Sequence, residues 1–572
     1  MSLISSLNTT FGGIKATESK MSTVSSNVSN ADQTGYTTKD YQTSYITAGG
    51  VTSPSGGIVV GSISKQLYAS AIDDNSDYSY ASIISNYLDL YSTAMGTTDT
   101  TTSISGSVDS LQAAIDTLAT SASDSSQKTN VVSDAATLAN ALNSLSSTVQ
   151  DYRQQANDEI STSVDTINSA LQNIQDLNTQ ITTLQAQGQS TADLEDQRMV
   201  QLSNLSEQMD VSYFFTSTNQ LKVYTTDGQP LVDSQVHALS YDASSSTSST
   251  TTFSPITLNG VDVTSSIDGG KLGGLIQLRD TYLPQEQAKL DQFAQTLAST
   301  MNSVTNSGAS YPARSDMTGD TQGISASDAL NGSGTVRIAT LDSSGMVTGY
   351  SDLDLSSYST VGDLVTALNG ISGVSASLTA SGQLELSSTV SGEGISINQM
   401  TSSVNGSGFS SAFGLNNLYS GTDAASIKVS SYLTDNPGYL ATGVLSSSAT
   451  LAVGDRGVSS GDATTATALS SALSGKSTFA AAGNFTGQST SFASYAAKIV
   501  SDAASRASAA ADKSSLAETS YTQTKSLLDN AQGVNLDEQT VKLTALQTEY
   551  QSSAALVSAI KDMFDELIAA VK

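Results

Sequence analysis

The chain has 572 residues, 53 of them acidic and 23 basic, which gives a formal net charge of −30 at pH 7. Such a surface repels nucleic acid and anionic membranes, so neither is an expected partner. The absence of cysteine and the single histidine exclude disulfides, thiolate metal sites and histidine-rich metal sites. No apolar run approaches the roughly 20 residues of a membrane-spanning helix. Residues 1–30 lack the pattern of a cleavable signal peptide, so export would use a route that reads no such peptide.

Both ends of the chain carry apolar residues at alternating steps of three and four, which predicts an amphipathic helix at each end. We call these positions the terminal seams: Ile4, Leu7, Phe11, Ile14, Met21, Val24 and Val28, then Leu543, Leu546, Tyr550, Val557, Ile560, Phe564, Leu567 and Val571. The two helices are expected to pack together or against other copies of the chain. Chains of this kind tend to be assembly subunits.

Between the seams, the longest predicted element is a helix over 130–187, an interval free of proline and glycine. Further helices are predicted at 67–96, 280–306, 361–369 and 489–531. Period-two patterning around Asp227-Gly228 predicts a β-hairpin.

The predicted fold is α+β and multidomain: a long α-helical rod built from both chain ends, with an inserted β-rich outer region. The domain boundaries follow the changes in composition and periodicity. They are 1–50 (N-terminal part of a terminal coiled-coil layer), 51–310 (helical rod domain with a small β segment at 211–275), 311–480 (inserted β-rich outer region), 481–531 (return helix of the rod) and 532–572 (C-terminal helix of the terminal layer).

A polar turn follows the first helix, and residues 26–36 read S-N-V-S-N-A-D-Q-T-G-Y. Asparagine side chains can bond local backbone in such a turn, and glycine permits a positive φ. The segment resembles the N-I-A-N-A-N-T-P-G-Y signature of flagellar rod, hook and hook-associated proteins. It departs from that signature at Val28, Ser29 and residues 32–34, and the matching positions are Asn27, Asn30, Ala31, Gly35 and Tyr36.

Four further segments narrow the resemblance to the hook-associated proteins of the hook–filament junction. They are G-V-N-L-D-E at 533–538 with M-F-D-E-L at 563–567, D-L-E-D-Q-R at 193–198, the strand-turn-strand at 223–232, and G-G-K-L-G-G-L at 269–275. The resemblance covers about 1–310 and 410–572. Residues 311–400 carry little signature and are expected to be the variable, outward-facing part.

The resemblance implies a structural, non-enzymatic subunit that joins the hook to the filament. The implied partners are other copies of the chain, hook protein, the next junction or filament subunits, and an export chaperone. The implied location is extracellular, at the hook–filament junction. Alternatives are a hook or distal-rod protein, a surface adhesin that uses 311–480, and an exported wall hydrolase.

Competing chemical interpretations are weaker, and we expect no catalytic, cofactor or metal site. His237 has no nucleophile motif nearby and is expected to face solvent. The glycine-rich segment 269–274 fails the P-loop pattern, because Leu272 follows Lys271. Asp73, Asn75 and Asp77 lack the glycine and glutamate of an EF-hand. The acids Asp193, Glu195 and Asp196 could form an acid–base pair, but Arg198 is expected to bond one of them structurally.

Overall fold

A computed structural model of the protein describes residues 3–48, 50–98 and 103–571, without the side chains of Ala48 and Val571. The fold is mixed α+β, as predicted. The helices of the described residues are α1 (Leu3–Ser29), α2 (Lys65–Met95), α3 (Ile104–Thr120), α4 (Ser125–Ala186), α5 (Ala192–Gln208), α6 (Gly270–Gln277), α7 (Leu283–Asn306), α8 (Val361–Asn369), α9 (Phe409–Phe413), α10 (Ser431–Asp435), α11 (Thr464–Ser474), α12 (Phe492–Gln532) and α13 (Leu536–Val571).

The strands are short except for one hairpin near the N-terminus. They are β1 (Lys39–Ala48), β2 (Val51–Gly61), β3 (Ser212–Phe215), β4 (Leu221–Tyr224), β5 (Pro230–Val232), β6 (Leu239–Ser240), β7 (Thr257–Leu258), β8 (Val261–Asp262), β9 (Asp316–Thr318), β10 (Gly332–Ser333), β11 (Thr335–Leu341), β12 (Val347–Asp354), β13 (Val374–Leu378), β14 (Leu384–Ser388), β15 (Gly394–Asn398), β16 (Ser403–Val404), β17 (Tyr419–Ser420), β18 (Lys428–Val429), β19 (Ser477–Phe479) and β20 (Gln488–Thr490). Every strand pairing among the described residues is antiparallel.

The described chain divides into two compact units, each assembled from separated segments. The first unit comprises 1–87, 154–279 and 508–572, and the second comprises 88–153 and 280–507. Helices α2, α4 and α12 contribute residues to both. The domain boundaries proposed from the sequence stay a prediction.

In the first unit, α1 packs against α13 and against the β1–β2 hairpin. The approach to the hairpin is close, because a Cβ atom on Gly12 would lie 2.6 Å from the carbonyl oxygen of Pro54. The strands β3–β4–β5 form a three-stranded sheet whose β4–β5 turn contains Asp227-Gly228, as predicted.

The second unit has a helical core and a β-rich core. Residues from α3, the start of α4, α7 and α12 form the helical core, together with buried residues between Leu418 and Leu473. The β-rich core lies between Met317 and Leu415 and contains the sheets β12–β11–β15 and β13–β14–β9. No helix of the described residues is long and apolar enough to cross a membrane.

Candidate assembly interface

The motif turn after α1 is held by its own backbone and by one close packing contact. The amides of Asn30, Gln33 and Tyr36 donate to the carbonyls of Ser26, Asn30 and Gln33, at 3.0, 3.0 and 3.1 Å. Gly35 has a φ of +77° and a Cβ atom there would lie 2.3 Å from a Val200 methyl group. Glycine is therefore required at this position for both conformation and space.

Asn27 is fully buried at the end of α1 and connects three parts of the chain. Its amide nitrogen donates to the carbonyl of Lys39 at 2.9 Å and to Oε1 of Gln539 at 3.0 Å. Its Oδ1 accepts from the amide of Lys39 at 3.1 Å and from the Tyr36 hydroxyl at 3.0 Å. One side chain thus joins α1, β1 and α13, although Asn27 and Gln539 lie 512 positions apart.

Lys39 is the buried cation of this site. Its ammonium group lies 2.7 Å from Asp196 and 3.1 Å from Asp193, and it sits 3.4 Å from the centroid of the Tyr36 ring. Burial alone would lower the pKa of Lys39, but the hydrogen bond and charge of Asp196 outweigh it and raise that pKa. Asp196 also accepts from the amide and hydroxyl of Thr37 at 3.0 and 2.8 Å.

The D-L-E-D-Q-R segment therefore positions the N-terminal turn, and its arginine has another role. The prediction that Arg198 bonds a neighbouring acid is wrong. Its guanidinium donates to Oδ1 of Asn178 at 2.9 Å and to the carbonyl of Asn219 at 2.6 Å, which ties α5 to α4 and to the β3–β4 turn. Burial lowers the pKa of Arg198 to about 10.

The turn between α12 and α13 completes the site. The amide of Thr38 donates to the carbonyl of Gln532 at 2.7 Å, and the Thr38 hydroxyl donates to the carbonyl of Gly533 at 2.6 Å. Oδ1 of Asn535 accepts from the amides of Asp537 and Glu538, so it caps α13. We call Asn27, Tyr36, Thr38, Lys39, Asp196, Gln532 and Gln539 the terminal latch.

The residues of the terminal seams differ widely in exposure. Val24 and Ile560 are buried, at 5% and 2% exposure. Leu7, Ile14, Met21, Leu543, Leu546, Val557 and Phe564 are half-buried, whereas Ile4, Phe11, Val28, Tyr550 and Leu567 are exposed. The side chain of Val571 lies outside the described residues. The role of the seams in assembly stays a prediction.

Two exposed apolar residues of α13 were not part of the predicted seam, and they lie on one face of the helix with a third residue that was. Leu556 and Met563 are 51% and 46% exposed, and with Leu567 at 55% they recur at steps of seven and four. That spacing places the three residues on one face of the helix. We call them the α13 stripe.

His237 is half-buried, with a side chain that is 13% exposed, so the expectation that it faces solvent is wrong. Its Nε2 lies 3.2 Å from Oδ1 of Asp233 and its Nδ1 lies 3.4 Å from Oδ1 of Asn259. The amide of Gln235 and the His237 ring hold the pKa of Asp233 at about 2. In the part of the chain that the structure describes, no group of three or more acidic, histidine or cysteine residues is placed to hold a metal ion.

Three family models match the chain in succession. Residues 93–323 match the flagellar hook-associated protein FlgK helical domain, 329–390 match the flagellin hook IN motif, and 529–570 match the flagellar basal body rod FlgEFG protein C-terminal model. The prediction that 311–400 carries little signature is wrong, because the second of these models lies inside that interval.

Two similar proteins are both called flagellar hook-associated protein 1. The one from Salmonella typhimurium is 26% identical over 317 residues, which cover 52% of this chain and 55% of the relative. The one from Escherichia coli is 25% identical, over 52% of this chain and 56% of the relative. The chain thus spans about half the length of the curated relatives that it matches.

A solved structure with a detectable likeness is the flagellar hook junction protein FlgK from Burkholderia pseudomallei. It is 18% identical, with a TM-score of 0.47, over 81% of this chain and 99% of that chain. The family models and the relatives confirm the predicted resemblance to flagellar hook-associated protein 1.

Proposed function

We propose that the protein is a structural subunit of the bacterial flagellum that joins the hook to the filament. The observation that carries this proposal is the order of the three matches, with a hook-associated helical domain over 93–323 and a basal-body C-terminal segment over 529–570. A hook or distal-rod protein is less favoured, because the longest match is to the hook-associated helical domain.

The terminal latch suits such a subunit. It ties the end of α1 to the beginning of α13 through buried hydrogen bonds, so these two helices form one packed pair. Large apolar side chains on that pair remain exposed, including Ile4, Phe11 and the α13 stripe. Other copies of the chain, hook protein and the next junction or filament subunits would cover them. Burial of one such side chain contributes about 1.5–3 kcal/mol at most.

The role is one of assembly rather than catalysis, with a location on the flagellum outside the cell. We also propose export without a cleavable signal peptide, on the pattern of residues 1–30, and the help of an export chaperone, which the resemblance implies.

The test is deletion of the gene, followed by electron microscopy of the cell surface and detection of flagellin in the medium. We expect hooks without filaments, with flagellin released, and recovery of filaments on expression of the intact gene. Filaments of normal length and number on the deletion strain would contradict the proposal. Absence of hooks as well would instead indicate a hook or rod component.

A further inference from the structure

Four charged side chains meet between α7 and α12 in the second unit, away from the terminal latch. The ammonium group of Lys289 lies 2.6 Å from Oε2 of Glu286 and 2.7 Å from Oδ2 of Asp502. Arg506 lies 3.3 Å from both carboxylates, through Nη1 to Glu286 and through Nε to Asp502. The amine of Lys289 therefore lies in contact with two carboxylates, those of Asp502 and Glu286.

The Lys289–Glu286 side of this cluster is buried and lies among aromatic residues, whereas Asp502 and Arg506 are 21% and 18% exposed. The side chains of Lys289 and Glu286 have no exposed surface. The ring centroid of Phe485 lies 5.0 Å from Nζ of Lys289, and Tyr91 is buried beside Glu286. Asn484 donates to Oδ1 of Asp502 at 3.1 Å. Removing ions from water at such a site is costly, and a neutral product avoids that cost.

We propose that Lys289 and Asp502 become joined by an isopeptide bond, with Glu286 as the proton carrier. Nζ of Lys289 forms a bond to Cγ of Asp502, and the bond from Cγ to Oδ2 breaks. Two of the three ammonium protons pass through Glu286 to Oδ2, which leaves as water, and the third stays on the amide nitrogen. An ammonium and a carboxylate thus yield one amide and one water, with no other reactant.

Each neighbouring group has a definite part in this reaction. Burial raises the pKa of Glu286 against the opposing effect of Lys289, which favours its acceptance of a proton from the ammonium group. Asn484 stabilises negative charge on Oδ1, the oxygen that stays in the amide, and Arg506 faces Oδ2. Fixed contact between nitrogen and carboxylate supplies the proximity that makes an intramolecular reaction fast.

The position of the bond gives it a mechanical role. Lys289 and Asp502 lie 213 positions apart, and the β-rich core falls in the interval between them. A covalent bond there would close that interval into a loop. A pull along the chain would pass from α7 to α12 directly, and the intervening residues would carry no load.

The test is the intact mass of the purified full-length protein after denaturation. We expect the main species to be one water lighter than the sequence requires, and a proteolytic digest to yield a branched peptide that joins Lys289 to Asp502. Asp502→Ala and Glu286→Gln should have the full mass of their sequences. Lys498→Met is the matched control, because Lys498 also lies beside Phe485, at 4.3 Å, but bonds Gln488. This variant should still lose the water.

Two results would overturn the proposal. One is a wild-type protein with the full mass of its sequence. The other is a loss of water that persists in Asp502→Ala, since dehydration would then occur elsewhere, for example at an aspartyl-glycine step. The masses are read on denatured chains, so the wild-type result does not depend on whether the variants fold.

Discussion

Replacement of Asn27 by alanine tests whether the terminal latch holds the two ends of the chain together. The substitution removes four hydrogen bonds and leaves the amide and carbonyl of Lys39, the Tyr36 hydroxyl and the Gln539 side chain without this partner. Lys39 and Gln539 are buried, at 3% and 1% exposure, so water cannot easily replace the lost bonds.

The expected magnitude follows from those buried groups. A buried polar group left without its partner costs about 1–3 kcal/mol. The amide of Lys39, the carbonyl of Lys39 and the Gln539 side chain are three such buried groups. Their separate costs do not simply add, because groups that share one partner relax together. We therefore expect Asn27→Ala to lower the free energy of unfolding of the first unit by about 3–5 kcal/mol.

Asn30→Ala is the matched control, since it removes an asparagine from the same turn. Asn30 makes an exposed bond to the carbonyl of Ser26 at 2.9 Å, and its loss should cost roughly 0.5 kcal/mol. Urea denaturation followed by circular dichroism gives both values, and hydrogen exchange should show weaker protection at Lys39 in Asn27→Ala. Equal destabilisation by the two variants would refute the latch.

Three further predictions concern separate features. Gly35→Ala should lower the free energy of unfolding of the first unit by about 2 kcal/mol. Adding Val200→Ala removes the steric clash but leaves the φ of +77°, so it should restore only part of the lost stability. Full recovery of stability in thermal denaturation would contradict backbone strain. Burial lowers the pKa of Lys128 to about 8. The unfolded chain therefore binds this proton more tightly than the folded chain, and the free energy of unfolding should rise by about 2 kcal/mol as the pH rises from about 8 to 10. Lys128→Met should show no such rise in urea titrations. Leu567→Asp should leave thermal stability nearly unchanged but impair motility, whereas Ile560→Asp should destabilise α13 packing by at least about 3 kcal/mol; full motility of Leu567→Asp would exclude the α13 stripe from assembly.

Long periodic segments could be predicted from the sequence alone. The helix predicted at 130–187 is α4, Ser125–Ala186, and the helix predicted at 361–369 is α8. These predictions succeeded because uninterrupted apolar spacing and the lack of proline leave one regular solution. The apolar positions of α4 that define its stripe, such as Leu138 and Ile174, are fully buried.

The helix α3 was missed, and the β1–β2 region was predicted only as short extended pieces such as 57–63 rather than as a hairpin of two long strands. The helix α3 had a signal in the sequence, because Ile104, Val108, Leu111, Ile115 and Leu118 recur at steps of four and three, and Ser103 caps its first turn. The β1–β2 hairpin had almost no such signal in the sequence. Its strands are mostly exposed or half-buried and contain Pro54, Gly56 and Gly57, so no alternation of apolar and polar residues marks them.

Composition also could not show that the inserted region, 311–480, contributes to two different hydrophobic cores. Buried residues such as Leu418, Leu433 and Leu469 come from serine- and glycine-rich sequence but pack in the helical core with α3 and α7. Their partners are more than a hundred residues away along the chain. Local patterns carry no information about such contacts, which depend on the shape of the whole unit.

The latch explains why a polar residue, Asn27, is fully buried at the end of α1, next to the last apolar residues of the seam. Apolar packing between two long helices tolerates sliding by a turn, because one leucine can replace another in the same groove. The hydrogen bond between Asn27 and Gln539 cannot be kept after such a shift, and the buried amides would then lack partners. A single buried amide pair can thus set the register of two helices, as a buried asparagine does in coiled coils. Fixed register in turn determines which apolar residues of α1 and α13 face outward, and hence which surface a neighbouring subunit would meet.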